Sequence, residues 1–312
     1  MQVWDSEGSG HISFDAAELA LPYLGCIVEN RLIRAAALQQ VMAFANVKLL
    51  QENTIENIQQ ADSYVKANLS NGETISASLL IGADGAFSSV RRLLGVATTN
   101  RTYSQKALVA NVETELPHQD TAWQRFTPYG PVAFLPMPQP NLCSVVWSLD
   151  EDRASKLSLN DPEKFQQQLA QAFELRLGNI KLITSPVAFP LMARHSETYL
   201  ANRCALIGDA AHTIHPLAGQ GVNLGFQDVA CLSERIKYLL AKGRDIGLLA
   251  NLRPFERERK AHNQTMLDVM GGFKWLFGQQ SLGPTLLRNQ GMRILDKSAA
   301  LKREITRRAM GT

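Results

Sequence analysis

The chain is poor in cysteine. Its 4 cysteines, Cys26, Cys143, Cys204 and Cys231, are scattered without a CxxC pair. That spacing excludes a zinc ribbon and a disulfide-stapled framework, and it suits a reducing compartment. An excess of one charge is also missing. The 32 basic and 29 acidic residues leave a formal +3, and no basic–aromatic cluster accompanies it, so nucleic acid is not an expected partner. No apolar run approaches the roughly 18 to 20 residues that a bilayer-spanning helix requires. Met1 is followed by Trp4, Asp5 and Glu7 rather than by a basic and then an apolar stretch. A secretory leader is therefore not expected, and a cytoplasmic location is. Ser88, Ser89 and Ser144 have no GxSxG context, which removes support for serine hydrolase chemistry. His212 and His215 are spaced as metal ligands can be, but no third ligand joins them and no metal site is expected.

What is present reads as an α/β chain with room for one large or two ordinary domains. Residues 1–29 suggest loops and short strands. Apolar residues at three and four spacing then predict a helix from about Asn30 to Ala45. Short alternating segments follow at Val47–Leu50, Thr54–Ile58 and Tyr64–Leu69, and Asn71-Gly72 signals a hairpin into Ile75–Leu80. From about Thr102 to Ala193 the pattern is β-rich, with one helix opened by Asp161-Pro162. The remainder is helical: Val222–Ala241, Pro254–Phe277, and Thr285–Met310 after a break at Gly283-Pro284. The expected divisions are 1–100 with 194–250 as part of a cofactor-binding domain, 101–193 as a β-rich substrate domain, and 251–312 as a helical region.

Two segments carry chemistry. Leu206–Asp228, LIGDAAHTIHPLAGQGVNLGFQD, runs from a buried strand through a glycine-rich turn into a helix. It places Asp209 at the carboxyl end of a strand, where open α/β sheets bind ligands and a carboxylate can accept hydrogen bonds from a sugar or ribityl hydroxyl. Gly219 and Gly221, with Ala218 beside them, leave little bulk in a turn that also holds Gly208 and Pro216, so a flat ligand can approach the backbone. The helix start near Val222 and Asn223 offers free N–H groups to an electron-rich ring edge. The second segment is Gly82-Ala83-Asp84-Gly85 with Arg91 beyond it. Asp84 again ends a strand, and Arg91 is placed to face a pyrophosphate or to cap the helix that begins near Ser88. A DG pair alone is usually only a turn; its order ahead of the GD segment, with a β-rich insert between, reverses the odds.

The GDAAH…PLAGQGVN and GADG…SSVRR segments resemble the second FAD motif and the DG motif of the flavoprotein aromatic hydroxylases, the single-component FAD monooxygenases. VWDSEGSGHISFDA, LGCIVEN, GPVAFLPM and FERERKAHN are similar to the ubiquinone-biosynthesis hydroxylases, the UbiH/UbiI/VisC group. The resemblance covers essentially the whole chain. It implies a Rossmann-like FAD-binding domain with an inserted β-sheet substrate domain and C-terminal helices. It further implies hydroxylation of a polyprenylated phenol with O2, using FAD reduced by NAD(P)H or another donor. Asp209 would contact the ribityl chain, Gly221–Asn223 the pyrimidine edge, and Asp84, Gly85 and Arg91 would serve FAD and the nicotinamide donor. Phe134, Leu135, Pro136 and Met137 would lie near the flavin face and line the substrate, with Trp147 on a neighbouring strand. No single residue is identified as a general acid or base, because the flavin performs the oxygen chemistry.

One family feature is missing from the sequence. Gly8-Ser9-Gly10 is neither preceded by a strand nor followed by a helix, and no GxGxxG turn appears elsewhere. The Rossmann-like unit is thus expected to be truncated and the chain by itself to hold FAD weakly or not at all. Other readings are another FAD enzyme of this fold, such as a prenyl reductase or epoxidase, and a flavin-free assembly module of a quinone-synthesising complex with other ubiquinone-biosynthesis proteins. The basic helix with Lys297, Lys302, Arg303, Arg307 and Arg308 suggests peripheral contact with the inner membrane.

Overall fold

The computed structural model describes residues 1–157, 159–213 and 221–310. In chain order the elements are β1 (Gln2–Asp5), β2 (His11–Ser13), α1 (Asn30–Met42), β3 (Ile55–Gln60), β4 (Val65–Leu69), β5 (Thr74–Ala77), β6 (Leu80–Gly82) and α2 (Ser89–Leu93). There follow β7 (Thr98–Thr114), β8 (Trp123–Phe126), β9 (Val132–Pro136), β10 (Leu142–Asp150), α3 (Glu151–Lys156), α4 (Pro162–Ala172), β11 (Ile180–Leu182) and β12 (Val187–Ser196). The chain continues with β13 (Leu200–Ala201), β14 (Cys204–Leu206), β15 (His212–Thr213), α5 (Gly221–Ala241), α6 (Leu249–Gly278), α7 (Leu282–Lys297) and α8 (Ala299–Met310). Mixed helices and sheets of this kind agree with the α/β expectation.

Contacts divide the chain into two compact units, one of Met1–Arg34, Ser104–Leu191 and Gly271–Thr312, the other of Ala35–Tyr103 and Met192–Met270. The expected boundaries differ from this division at both ends, for identifiable reasons. Residues 1–34 join the β-rich insert because β1 pairs in parallel with β8, from Gln2↔Trp123 to Asp5↔Phe126. The first part of α6 joins the second unit because Arg259 is ion-paired with Asp228 at 2.7 Å.

In the first unit, β10 pairs antiparallel with both β7 and β9, and β9 pairs with β8. Side chains alternate across such a sheet, so neighbours in sequence face opposite ways. Leu108, Val112, Val132, Phe134, Cys143, Val145 and Trp147 share one face and bury it against Phe165, Leu169 and Phe173. The last three come from α4 and its end, where Asp161 caps the helix by accepting from the Lys164 N–H and Pro162 opens it. Phe134 stacks on Phe173 with centroids 3.9 Å apart. Two expected substrate-lining residues, Phe134 and Trp147, are therefore core. Pro136 faces the same way, since it pairs with Cys143. Leu135 points to the other side and is half-buried, as is Met137 just beyond the strand.

The second unit holds a hairpin layer, β3-β4-β5, and a sheet in the order β13-β14-β6. Gly72 adopts φ +84° in the β4–β5 turn, as an Asn-Gly hairpin requires. The unit's core includes Val90, Tyr199, Leu206, Leu232, Leu252 and Phe255.

Four expected boundaries moved. Val47–Leu50 is not a strand, and among the described residues none pairs with it. The sixth helix starts at Leu249 rather than Pro254, whose missing N–H forgoes a single bond near the helix start. The next break falls at 279–281, and Gly283-Pro284 sits in the first turn of α7, where a backbone N–H has no helical partner and proline's lack of one costs nothing. A second break at Ser298 then separates α7 from α8.

Phe134→Ala is expected to cost about 3–5 kcal/mol in urea unfolding, the range for emptying a fully buried aromatic site, whereas Leu135→Ala costs far less.

Candidate functional site

Strands β6 and β14 lie side by side in parallel, with Leu80↔Cys204, Ile81↔Ala205 and Leu206↔Gly82 in register. Both acid-bearing turns therefore leave the sheet from the same end. A Cβ on Gly82 would come within 2.7 Å of Leu206 and 2.8 Å of Val90, so its lack of a side chain lets the two strands and α2 close up. The two carboxylates then take different parts. Asp84 accepts from the Val90 N–H at 3.0 Å and from the Ser88 hydroxyl. It anchors the start of α2 and has little left to offer a ligand. Asp209 is exposed and has no hydrogen-bond partner among the described residues. Crowding strips part of its hydration and pushes its pKa up, with His212 opposing.

Arg91, expected to face a pyrophosphate or cap a helix, is engaged with backbone carbonyls of both turns. Its guanidinium is buried and donates to the Ala210 carbonyl at 2.7 Å and to the Ala86 carbonyl at 2.8 Å. It thus ties the DG turn to the GD turn. Burial lowers its pKa, the neighbouring Arg194 adds to that, and Asp84 opposes. Arg194, not foreseen from sequence, donates to the Asn100 side chain at 2.9 Å and to the Ala86 carbonyl. It lies 5.7 Å from the ring of the exposed Phe87.

Gly208 is left-handed at φ +57°, and Gly225 of α5 packs against it, a Cβ there reaching within 3.4 Å of the Gly208 Cα. Glycine takes that backbone without strain. Gly85 is likewise left-handed, at φ +82°, with open space around it. Gly221, Val222 and Asn223 form the first turn of α5, with Val222 and Asn223 exposed. Pro216, Gly219 and His215 lie outside the described residues.

Beneath the turn is a polar cluster that sequence reasoning missed. Asp228 is fully buried and accepts from the Gly208 N–H at 2.9 Å, from His212 Nε2 at 2.5 Å and from Arg259 Nε at 2.7 Å. Asn263 Nδ2 lies 3.4 Å from the same carboxylate and donates to the Tyr199 hydroxyl at 3.2 Å. Tyr199 and His195 Nε2 are 2.7 Å apart, and His195 Nδ1 meets Gln264 at 2.9 Å. Burial alone would push the Asp228 carboxyl up; His212, Arg259 and the Gly208 amide outweigh it and hold the pKa below its ordinary value. His212 is buried and held by this bond to Asp228. The signal was available: Leu224, Asp228 and Leu232 form one buried stripe of α5. Leu252, Phe255, Arg259 and Asn263 form another on α6. A lone acid and a lone base at core positions of two helices call for each other.

The residues fit a flavin in one respect the structure tests directly. Asp209 offers a carboxylate with no hydrogen-bond partner among the described residues, and Ser196 Oγ and Thr213 Oγ1, on the neighbouring strands β12 and β15, are likewise without one among them. These are acceptors and donors suited to a polyhydroxylated chain. No cluster of three metal-ligating side chains occurs among the described residues.

Paired acid turns at one end of adjacent parallel strands, with a helix start beside them, define a nucleotide-type cofactor domain. Comparison with known proteins makes this specific. The FAD binding domain family matches residues 26–269. The chain is 36% identical over 311 residues to 3-demethoxyubiquinol 3-hydroxylase of Escherichia coli (strain K12), covering all of this chain and 79% of that protein. It is 36% identical to the ubiquinone hydroxylase UbiL of Rhodospirillum rubrum, covering all of this chain and 72% of UbiL. It is 34% identical to the human mitochondrial ubiquinone biosynthesis monooxygenase COQ6, covering 98% of this chain and 74% of COQ6. The fold matches p-nitrophenol 4-monooxygenase PnpA from Pseudomonas putida, with TM-score 0.78 at 16% identity over 99% of this chain and 80% of that one. The chain belongs to the FAD-dependent monooxygenases, in the group of the ubiquinone-biosynthesis hydroxylases. The assembly-module and prenyl-reductase readings find no favour in these matches.

Asp228→Ala is expected to destabilise the chain by about 3–5 kcal/mol, because it strands a buried arginine. Since the Asp228 pKa is depressed, its contribution is present above about pH 4 and is lost as pH falls through the folded-state value. Thermal unfolding against pH should show a shallower acid limb in Asp228→Asn than in the parent.

Proposed function

We propose that this chain uses FAD and O2 to hydroxylate the ring of a polyprenylated phenol on the route to ubiquinone, with NAD(P)H or another reductant as electron donor. The observation that carries the reading is the exposed Asp209 carboxylate just beyond β14, without a hydrogen-bond partner among the described residues and beside the DG turn at the end of β6. The relatives' names supply the substrate class. In this reading Asp209 accepts from the ribityl hydroxyls, and the helix start at Gly221–Asn223 offers N–H groups to the pyrimidine edge. Asp84, Gly85 and Arg91 act one step back. Asp84 and Arg91 fix the shape of the DG turn, and Gly85 lets the ligand approach its backbone. Pro216 and Gly219 are assigned to the same turn by resemblance alone.

The bound flavin supplies the oxygen chemistry, and the protein's task is to hold it, orient the phenol and exclude water. For the substrate, the sheet face opposite the aromatic core is the better lining. There Leu135 pairs with Ser144, and Ala133 with Val146, an apolar and weakly polar patch between Glu113 at one end of the face and Asp150 at the other. Leu135 and Met137 are retained as substrate contacts, and Phe134, Pro136 and Trp147 are assigned to packing. Other ubiquinone-biosynthesis proteins are natural partners for an enzyme whose substrate passes between successive steps.

Titration of the purified chain with FAD, followed by quenching of flavin fluorescence, should give weak but saturable binding that Asp209→Ala weakens a further ten-fold or more. That loss corresponds to roughly 1.4 kcal/mol, the range of one charge-assisted hydrogen bond. Product analysis with a short-chain prenylphenol, O2 and reduced nicotinamide should show a ring-hydroxylated product; a saturated prenyl chain or an epoxide would overturn the reading.

A further inference from the structure

We propose that the groove between the β7–β12 strand pair and α6 binds a small aryl carboxylate, at a site separate from the flavin-facing turns. Every residue lining it belongs to the second unit. Thr99, Arg101 and Tyr103 are alternate residues of β7, and Ala193 and His195 are alternate residues of β12, its neighbour in the sheet. Each set therefore shares one face. Lys260, Gln264 and Leu267 fall at helical spacing on α6 and form the facing wall. The cavity between them measures about 430 Å³, within the ordinary range of small-molecule sites.

Charge indicates the ligand. Arg101 is exposed and has no hydrogen bond or ion pair among the described residues. Lys260 donates to the backbone carbonyl of Glu197 and pairs with no acid among them. Neither cation is answered by a carboxylate, and the planar guanidinium fork matches one in shape. Glu197 is the one acid among the lining residues, and it is exposed. Asp268, one turn further along α6, is taken by Gln264 at 3.0 Å and does not line the groove. The remaining walls suit a ring. Leu267 is buried, and Arg101 lies close enough to Tyr103 to oppose the rise that burial gives its phenol pKa. His195 is held at both nitrogens, by Gln264 at 2.9 Å and by the Tyr199 hydroxyl at 2.7 Å. Burial lowers its pKa, so it is a fixed and uncharged wall at neutral pH.

Register separates the groove from the flavin-facing surface. Arg194 pairs with Thr213 and His195 with His212, and neighbours on a strand point opposite ways. The Arg194 side chain reaches the Ala86 carbonyl of the DG turn, so His195 faces away from that turn. None of the lining residues belongs to the DG turn or the GD turn.

Calorimetric titration of the purified chain with 2-naphthoate, without FAD or reductant, tests the site by itself. One saturable site is expected, with a dissociation constant of roughly 0.1–1 mM, the range open to so small a ligand. The uncharged 2-naphthamide should bind about ten-fold more weakly, and Arg101→Gln should weaken the acid by about the same factor. Lys260→Gln should weaken it about five-fold. Arg257→Gln, exposed on α6 outside the groove, should change nothing. Asp209→Ala should leave naphthoate binding intact while weakening that of FAD, so the failure of one site is told apart from the failure of the other. Absence of saturable binding overturns the proposal, as does an amide that binds as well as the acid. A folded Arg101→Gln chain that binds like the parent also overturns it. Loss of naphthoate binding in Asp209→Ala would do so too, by placing the anion on the flavin-facing surface. The comparison of acid with amide uses the parent chain, and it decides the matter even where a variant fails to fold.

Discussion

The Asp228 carboxylate is the interaction on which the second unit depends. It is wholly buried, and it is tolerable there because Arg259, His212 and the Gly208 amide all donate to it. A single charged acceptor thereby joins α5, α6, β15 and the turn after β14. The arrangement follows from elementary electrostatics: an unpaired carboxylate in that position would cost several kcal/mol, and the pairing geometry is what repays it. It also has a local consequence. By accepting the Gly208 N–H, Asp228 holds that residue in the left-handed conformation from which Asp209 projects outward. The buried acid shapes the turn, and the exposed acid is left facing outward.

A second constraint couples the two motifs. Parallel pairing of β6 with β14 brings to one edge two turns that stand over a hundred residues apart in the chain. Arg91 then fastens them by donating to a carbonyl in each. Two of its five N–H donors are spent in this way, and they set the relative position of the two turns. Asp84, bonded within its own turn, behaves likewise. The division of labour between Asp84 and Asp209 comes from what each carboxylate has left to offer, and their sequence contexts alone do not distinguish them.

Much of this was legible beforehand. The strand–GD–turn–helix pattern, the DG turn, the Asn71-Gly72 hairpin and the Asp161-Pro162 helix start are local, and local rules found them. What stayed hidden depends on register and on distant partners. Phe134 and Leu135 are adjacent and both apolar, so composition could not say which faces α4; the pairing of β9 with β10 decides it. The membership of residues 1–34 in the first unit rests on β1 meeting β8, a parallel pairing across more than a hundred residues. Arg91 could be given a ligand or a cap from its spacing, but its actual acceptors are backbone carbonyls that no residue type announces. Asp228 and Arg259 were the readable omission, two opposite charges sitting in apolar helical stripes.

The central claim is that the ends of β6 and β14 form one flavin-facing surface. Hydrogen–deuterium exchange of the chain with and without FAD tests it most directly. The account predicts that FAD slows exchange together in the peptides spanning Gly82–Arg91, Leu206–Thr213 and the first turn of α5, with Asp209→Ala abolishing protection at all three. Protection confined to one of them, or appearing only elsewhere in the chain, would contradict it.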